Sequence, residues 1–122
     1  MRALIVDGSR FVRDYVRGLL EEKGIECEEA ADGRAGLERL ESSPAFDLAL
    51  VDWNMPVMNG VEMLCHLRGA GFRDLKVLMV TTEAENDFII RALECGADEY
   101  LMKPFDEEAL SEKLAMLGLA EA

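Results

Sequence analysis

Apolar and polar positions follow two different rhythms along this chain, and they alternate. Three short unbroken apolar runs, Ala3-Leu4-Ile5-Val6, Leu48-Ala49-Leu50-Val51 and Val77-Leu78-Met79-Val80, each stop abruptly at a polar residue: Asp7, Asp52 and Thr81. Runs this brief, bounded by turn residues, read as strands buried on both faces of a sheet, here Ala3 to Asp7, Asp47 to Asp52 and Val77 to Thr81. Two further runs are more polar. Ile25 to Ala30 alternates apolar with acidic residues, and Tyr100-Leu101-Met102-Lys103 is entered through Asp98-Glu99 and stopped by Pro104. These read as edge strands.

Between the strands the spacing changes to that of helices. Phe11, Val12, Tyr15, Val16, Leu19 and Leu20 predict one apolar face, Arg10, Arg13, Asp14 and Arg17 the other, with Ser9 as cap and Lys23-Gly24 as stop. A short helix after Asp32-Gly33 carries Gly33, Leu37 and Leu40 and breaks at Ser42-Ser43-Pro44. Asn59-Gly60 opens a third, with Met63, Leu64 and Leu67 inward and Gly69 and Gly71 at its end. The fourth carries Phe88, Ile89, Ile90, Ala92 and Leu93 and closes at Gly96. Asp106, Glu107 and Glu108 suit the start of a fifth, lined by Leu110, Leu114 and Leu117. Strand and helix alternating five times define an α/β fold, a doubly wound parallel sheet with helices on both faces. Strand polarity fits the order 2-1-3-4-5, which puts a switch point between the first and third strands. With 122 residues and no repeat or linker, residues 1–122 are expected to form one domain.

Charge narrows the function. Thirteen basic residues against twenty-five acidic ones, net charge −12, argue against nucleic acid and anionic membrane as direct partners. No apolar run approaches a membrane span, and Arg2 is followed by only four apolar residues, so no signal peptide is expected. Cys27, Cys65 and Cys95 lack metal or redox spacing and read as small apolar filler in a reduced, cytoplasmic protein.

Candidate chemistry sits where strands end. Asp7, Asp52, Thr81 and Lys103 should converge at one edge of the sheet. A lone Asp after a strand is more often a turn or cap residue, but four complementary types in one cleft define a site. Paired carboxylates repel, and a hard divalent cation such as Mg²⁺, or the Lys103 ammonium, relieves the repulsion. The Thr81 hydroxyl can donate to an incoming oxyanion. This set fits Asp52 as a nucleophile that takes a phosphoryl group and holds it as an acyl phosphate.

The ordered motifs Val6-Asp7, Val51-Asp52-Trp53-Asn54-Met55-Pro56 followed by Asn59-Gly60, Val80-Thr81-Thr82-Glu83, and Tyr100-Leu101-Met102-Lys103-Pro104-Phe105 closely resemble the receiver domain of bacterial response regulators. The single-domain chemotaxis (CheY-like) type is the nearest, and Trp53 after the acceptor strengthens the comparison. The resemblance covers essentially the whole chain. It implies a flavodoxin-like fold, whose strand order in chemotaxis regulators is itself 2-1-3-4-5. It also implies a phosphorelay switch in a two-component system, with no turnover activity of an enzyme. Asp52 would be the phosphoacceptor, loaded by a histidine kinase or phosphotransfer protein. Asp7, Asp52 and the backbone carbonyl of Asn54 would hold Mg²⁺, and Lys103 would contact the phosphoryl group. The Lys103-Pro104 bond resembles one that is cis in the family. Thr81 and Tyr100 would move together on activation. Output to a downstream protein would use the fourth helix, fifth strand and fifth helix, with Glu83 and Phe105 beside it. Surplus apolar residues on the fourth helix, Phe88 and Ile90 among them, suggest the partner surface, in a monomer or weak dimer.

One position departs from the family pattern. A second acid usually follows the first strand, and here Gly8 stands there. Three readings stay open: a weakened but working acceptor, which Asp52, Thr81 and Lys103 favour; a metal-poor pseudo-receiver acting independently of phosphorylation; or an altered form of an ordinary regulator. An aspartyl-phosphate hydrolase is disfavoured because Asn54 stands where a second carboxylate would be needed, and a dinucleotide protein because no glycine-rich loop follows the first strand. Blander roles are expected elsewhere: His66 at the rim, the methionines as core filler, and Glu26, Glu28 and Glu29 as a solvated edge. Arg10, Arg13 and Arg17 read as a solvated face paired with acids, or as a kinase-docking ridge.

Overall fold

The computed structural model describes residues 1–42, 46–55, 57–82 and 86–119, without the side chains of 86–88. Pro44, Pro56 and Glu83, and the Phe88 side chain, lie outside the described residues. Strands and helices alternate as β1 (Arg2–Val6), α1 (Arg10–Glu22), β2 (Glu26–Ala30), α2 (Gly33–Ser42), β3 (Leu48–Asp52), α3 (Gly60–Gly69), β4 (Lys76–Thr81), α4 (Asn86–Glu94), β5 (Glu99–Met102) and α5 (Glu107–Met116). The five strands are all parallel, in the order β2-β1-β3-β4-β5.

The period of two along each central strand divides the core into two layers. Leu4 and Val6 of β1, Ala49 and Val51 of β3, and Val77 and Met79 of β4 face one side, where Leu40, Met63, Leu64, Leu67 and Ala92 cover them. Ala3, Ile5, Leu48, Leu50, Leu78 and Val80 face the other, against Val16 and Leu20 of α1 and Leu110 and Leu114 of α5. A strand with both faces covered has no room for polar residues, which explains the unbroken runs.

The first helix corrects its predicted face. Val16 and Leu20 are buried, but Phe11 is 82 % exposed and Tyr15 42 % exposed. Phe11 and Tyr15 form a separate i, i+4 stripe that turns away from the sheet toward the β5–α5 connection, where Tyr15 Oη donates to the Phe105 carbonyl at 2.8 Å. The methionines also divide: Met55, Met63 and Met79 are buried, whereas Met102 and Met116 are exposed.

Strand β2 is an edge, but two of its acids are not simply solvated. Period two sends Glu29 toward α1, where Arg13 and Arg17 both pair with it, and Glu28 to the opposite face, where Arg2 and Arg39 pair with it. The paired reading of Arg13 and Arg17 therefore holds. Glu26 is exposed, as expected of an edge residue, and so is His66.

Candidate functional site

Strands β1 and β3 lie side by side, with Val6 opposite Val51, so the next residues, Asp7 and Asp52, leave the sheet as neighbours. The backbone ladder continues one residue past the strands: Asp7 N donates to the Ala30 carbonyl at 3.1 Å, Trp53 N to Val80 at 2.9 Å, and Lys103 N to Thr81 at 2.8 Å. The acidic end of the sheet is thus held by the same hydrogen bonds that build it. The loop after Asp52 folds back at once, since Gly60 N donates to the Trp53 carbonyl at 2.9 Å. A Cβ at Gly60 would stand 2.4 Å from the Asp52 carbonyl oxygen, so only glycine permits this approach. Asn59 caps the helix that starts there in a reciprocal capping box with Glu62.

Asp7, Asp52 and Thr81 are the buried polar residues of the described chain. One cation joins the two acids: Lys103 Nζ donates to Asp7 Oδ2 at 2.8 Å and to Asp52 Oδ1 at 3.3 Å. The other Asp7 oxygen accepts from Ser9 N at 2.8 Å, and Arg13 donates to the Asp7 carbonyl at 2.7 Å. Burial, and after it the Asp7 charge, push the Asp52 carboxyl above its ordinary range, while Lys103 and the Asn54 backbone N–H act in the opposite direction. For Lys103, burial works against the charged form, but the hydrogen bond to Asp7 and the charge of Asp52 outweigh it and raise its pKa. Asp52 is therefore a carboxylate whose charge is costly and incompletely compensated.

Asp7 Oδ2 and Asp52 Oδ1 converge on a single ammonium, so the same pair of oxygens can converge on a metal cation. An oxygen-only donor set with two carboxylates fits Mg²⁺, which commonly binds one or two carboxylates and keeps several waters. Gly8 is exposed and adds no ligand. Among the described residues no group of three His, Cys, Asp or Glu side chains could hold a metal.

The structure brings Asp7, Asp52 and Lys103 into direct contact and places Thr81 beside them through the Lys103 backbone. Lys103 itself lies just past β5, in the turn before Pro104, and the Lys103-Pro104 bond is cis. Asn54 is exposed, and it is its backbone N–H that meets Asp52. Tyr100 stands apart, half-buried against the first core layer with Lys113 Nζ 4.6 Å from its ring centre. Ile90 is 52 % exposed on α4. Two features escaped the linear reading. Arg13 anchors the Asp7 backbone, a role hidden because its partners lie on other elements. Phe11, Val12, Tyr15, Thr82, Pro104 and Phe105 line an open, mainly apolar groove of about 470 Å³ beside Lys103; Phe11 and Tyr15, one turn apart, are its signal in the sequence.

A doubly wound parallel sheet with an acid pair bridged by lysine at its carboxyl edge places this chain among the α/β domains that carry their site at the strand ends, beside a topological switch point. Residues 3–115 match the response regulator receiver domain, and the chain belongs to that family. It is 40 % identical over 116 residues to chemotaxis protein CheY-3 of Vibrio cholerae, covering 93 % of this chain and 88 % of that protein. It shares the same identity over 116 residues with chemotaxis protein CheY of Pseudomonas aeruginosa, covering 93 % of each. The solved structure of chemotaxis response regulator CheY4 of Vibrio cholerae superposes with a TM-score of 0.88 at 35 % identity, covering 95 % of this chain and 97 % of that one. Receiver domains are the switches of two-component and chemotaxis signalling, and the chain is a CheY-like member with a flavodoxin-like fold. No helix among the described residues is long and apolar enough to cross a membrane.

Proposed function

We propose that residues 1–122 act as one phosphorelay switch in which Asp52 accepts a phosphoryl group from a histidine kinase or phosphotransfer protein. The observation that carries this reading is the single Lys103 ammonium bridging Asp7 and Asp52 at the strand ends. A carboxylate oxygen of Asp52 attacks the phosphorus of a phosphohistidine, the P–N bond breaks, and the imidazole leaves with the electron pair. Lys103 turns from carboxylate to phosphoryl oxygen, and the Thr81 hydroxyl donates to a second. Mg²⁺, held by Asp7, Asp52 and the Asn54 carbonyl, supplies further neutralisation of the phosphoryl charge when bound.

The acyl phosphate shifts a two-state equilibrium that Thr81 and Tyr100 transmit to the face of α4, β5 and α5, where Phe88, Ile90 and Phe105 meet a downstream protein. The domain carries out transfer once per signal rather than enzymatic turnover. Its charge of −12 suits a cytoplasmic, monomeric or weakly dimeric protein that contacts neither nucleic acid nor membrane.

A second reading has its own observation. Gly8 is exposed and offers no ligand, so the domain could act as a phosphorylation-independent interaction module. A small phosphodonor with Mg²⁺, followed by intact mass, separates the two. A phosphoryl adduct on the wild type that Asp52→Asn abolishes is expected; no adduct across a wide Mg²⁺ range would establish the module instead.

A further inference from the structure

Outside the acidic cleft, one pair of nucleophilic side chains meets across two helices. Cys65 lies midway along α3 and Cys95 directly follows α4. They are thirty residues apart in the chain, yet their Sγ atoms stand 2.7 Å apart, closer than two sulfurs come in ordinary non-bonded contact. Cys65, expected as small apolar filler, is exposed, and Cys95 is half-buried. Cys27 is the filler that was expected: it is buried, and burial pushes its thiol up to about 11.

Both backbones are held independently of the thiols. Leu64 and Leu67, flanking Cys65 on α3, are fully buried. At the end of α4, Cys95 N donates to the Arg91 carbonyl at 3.1 Å, Gly96 N to Leu93 at 3.0 Å and Ala97 N to Ala92 at 3.0 Å. Gly96 has φ +105, the left-handed turn that ends the helix. Arg68, one turn beyond Cys65 on α3, then ties that turn to its own helix: its Nε and Nη2 donate to the Gly96 carbonyl at 3.1 and 2.9 Å, and Nη2 also reaches Asp98 Oδ2 at 2.8 Å. The two thiols are thus presented to each other by a framework that exists without them. That separation is within about 1 Å of the roughly 2.05 Å of an S–S bond.

We propose that Cys65 and Cys95 form a reversible intramolecular disulfide that fastens the C-terminal end of α4 to α3. Disulfides in reducing compartments are typically transient and regulatory, and a partly exposed pair suits that use. The oxidant is a small-molecule disulfide such as oxidised glutathione. The accessible Cys65 thiolate attacks one of its sulfurs, a new S–S bond forms, and a glutathione thiolate leaves. Cys95, deprotonated, then attacks the Cys65 sulfur, closes the protein disulfide and expels the second glutathione thiolate. Two electrons pass from the protein thiols to the oxidant, and the two thiol protons pass to solvent or to the leaving thiolates. The contact with Cys95, and after it burial, hold the Cys65 thiol up at about 11, so exchange is slow near neutral pH and quickens as pH rises.

The test treats the full chain with oxidised glutathione, quenches with an alkylating agent under denaturing conditions, and maps the free thiols. Of the three cysteines, Cys27 alone is expected to stay alkylatable, with a monomer lighter by two hydrogens and restored by dithiothreitol. In Cys95→Ser the reaction should stop at a stable glutathione adduct on Cys65. Hydrogen exchange at the amides of Cys95, Gly96 and Ala97 should slow at least several-fold on oxidation. A wild type that keeps the glutathione adduct without closing, or that cross-links two chains, would overturn the proposal; unchanged exchange at those amides would overturn the fastening of α4. The experiment involves neither phosphodonor nor Asp52, so its outcome is independent of the phosphorelay reading.

Discussion

At the scale of single residues the site is a matter of charge count. Two buried acids share one lysine, which leaves an excess of negative charge at the strand ends. Gly8 stands where a third acid would add to it. In Gly8→Asp an added carboxylate should tighten Mg²⁺ binding by tenfold or more, on the scale of about 1.4 kcal/mol, as expected of sites tuned by ligand charge. Trp53, the only tryptophan and the residue next to Asp52, gives a fluorescence signal for the titration; equal affinities would mean that Gly8 does not limit the site. The raised pKa of Asp52 predicts a second effect. An acid whose folded pKa lies above its unfolded value contributes stability when protonated, and that contribution is lost as pH rises through the folded pKa. Asp52→Asn cannot ionise, so it should melt higher than the wild type at neutral pH. The gap should narrow as pH falls toward the ordinary aspartate value near 3.9, while Lys103 keeps Asp7 as its partner in both. Thermal scans across that range measure the gap.

At the scale of elements, the backbone just past β1, β3 and β5 is tied to the neighbouring strand, and Gly60 N ties the start of α3 to the end of β3. Gly60→Ala tests how tight that junction is. The new Cβ would press on the Asp52 carbonyl, a backbone atom that cannot swing aside. Overpacking of this kind costs about 1–3 kcal/mol, which urea unfolding would resolve. Loss of phosphoacceptance larger than the stability loss explains would place the damage at the Asp52 strand end. Periodicity made the elements readable because burial on both faces of the sheet forces it: β1, β3 and β4 had to be apolar throughout, and their ends had to break that rule. The helices were less legible. An apolar stripe wider than the core can absorb, as in α1, does not declare which part is covered, so Phe11 and Tyr15 were assigned inward and lie outward. Proximity between one helix and another, or between a helix and a strand end, was not legible. Nothing in the local spacing of Cys65 and Cys95 announces their contact, and nothing around Arg13 marks Asp7 as its partner.

At the scale of the whole molecule, parallel strands place every β-to-α connection at one edge of the sheet and every α-to-β return at the other. Asp7, Asp52, Thr81 and Lys103 are legible as a site because the fold collects strand exits, whatever their distance in the chain. The opposite edge collects the returns. Met1, Gly24, Ile25, Leu114 and Leu119 line a single cleft there, with Lys23 reaching Glu107 and Ser111 across α1 and α5. The two ends of the described chain therefore come together on the side remote from the acidic cleft. A chain built this way is portable. A partner domain, a fluorescent reporter or a second copy could be joined at either end, or the ends bridged and the chain reopened elsewhere, and the acidic edge would still face outward.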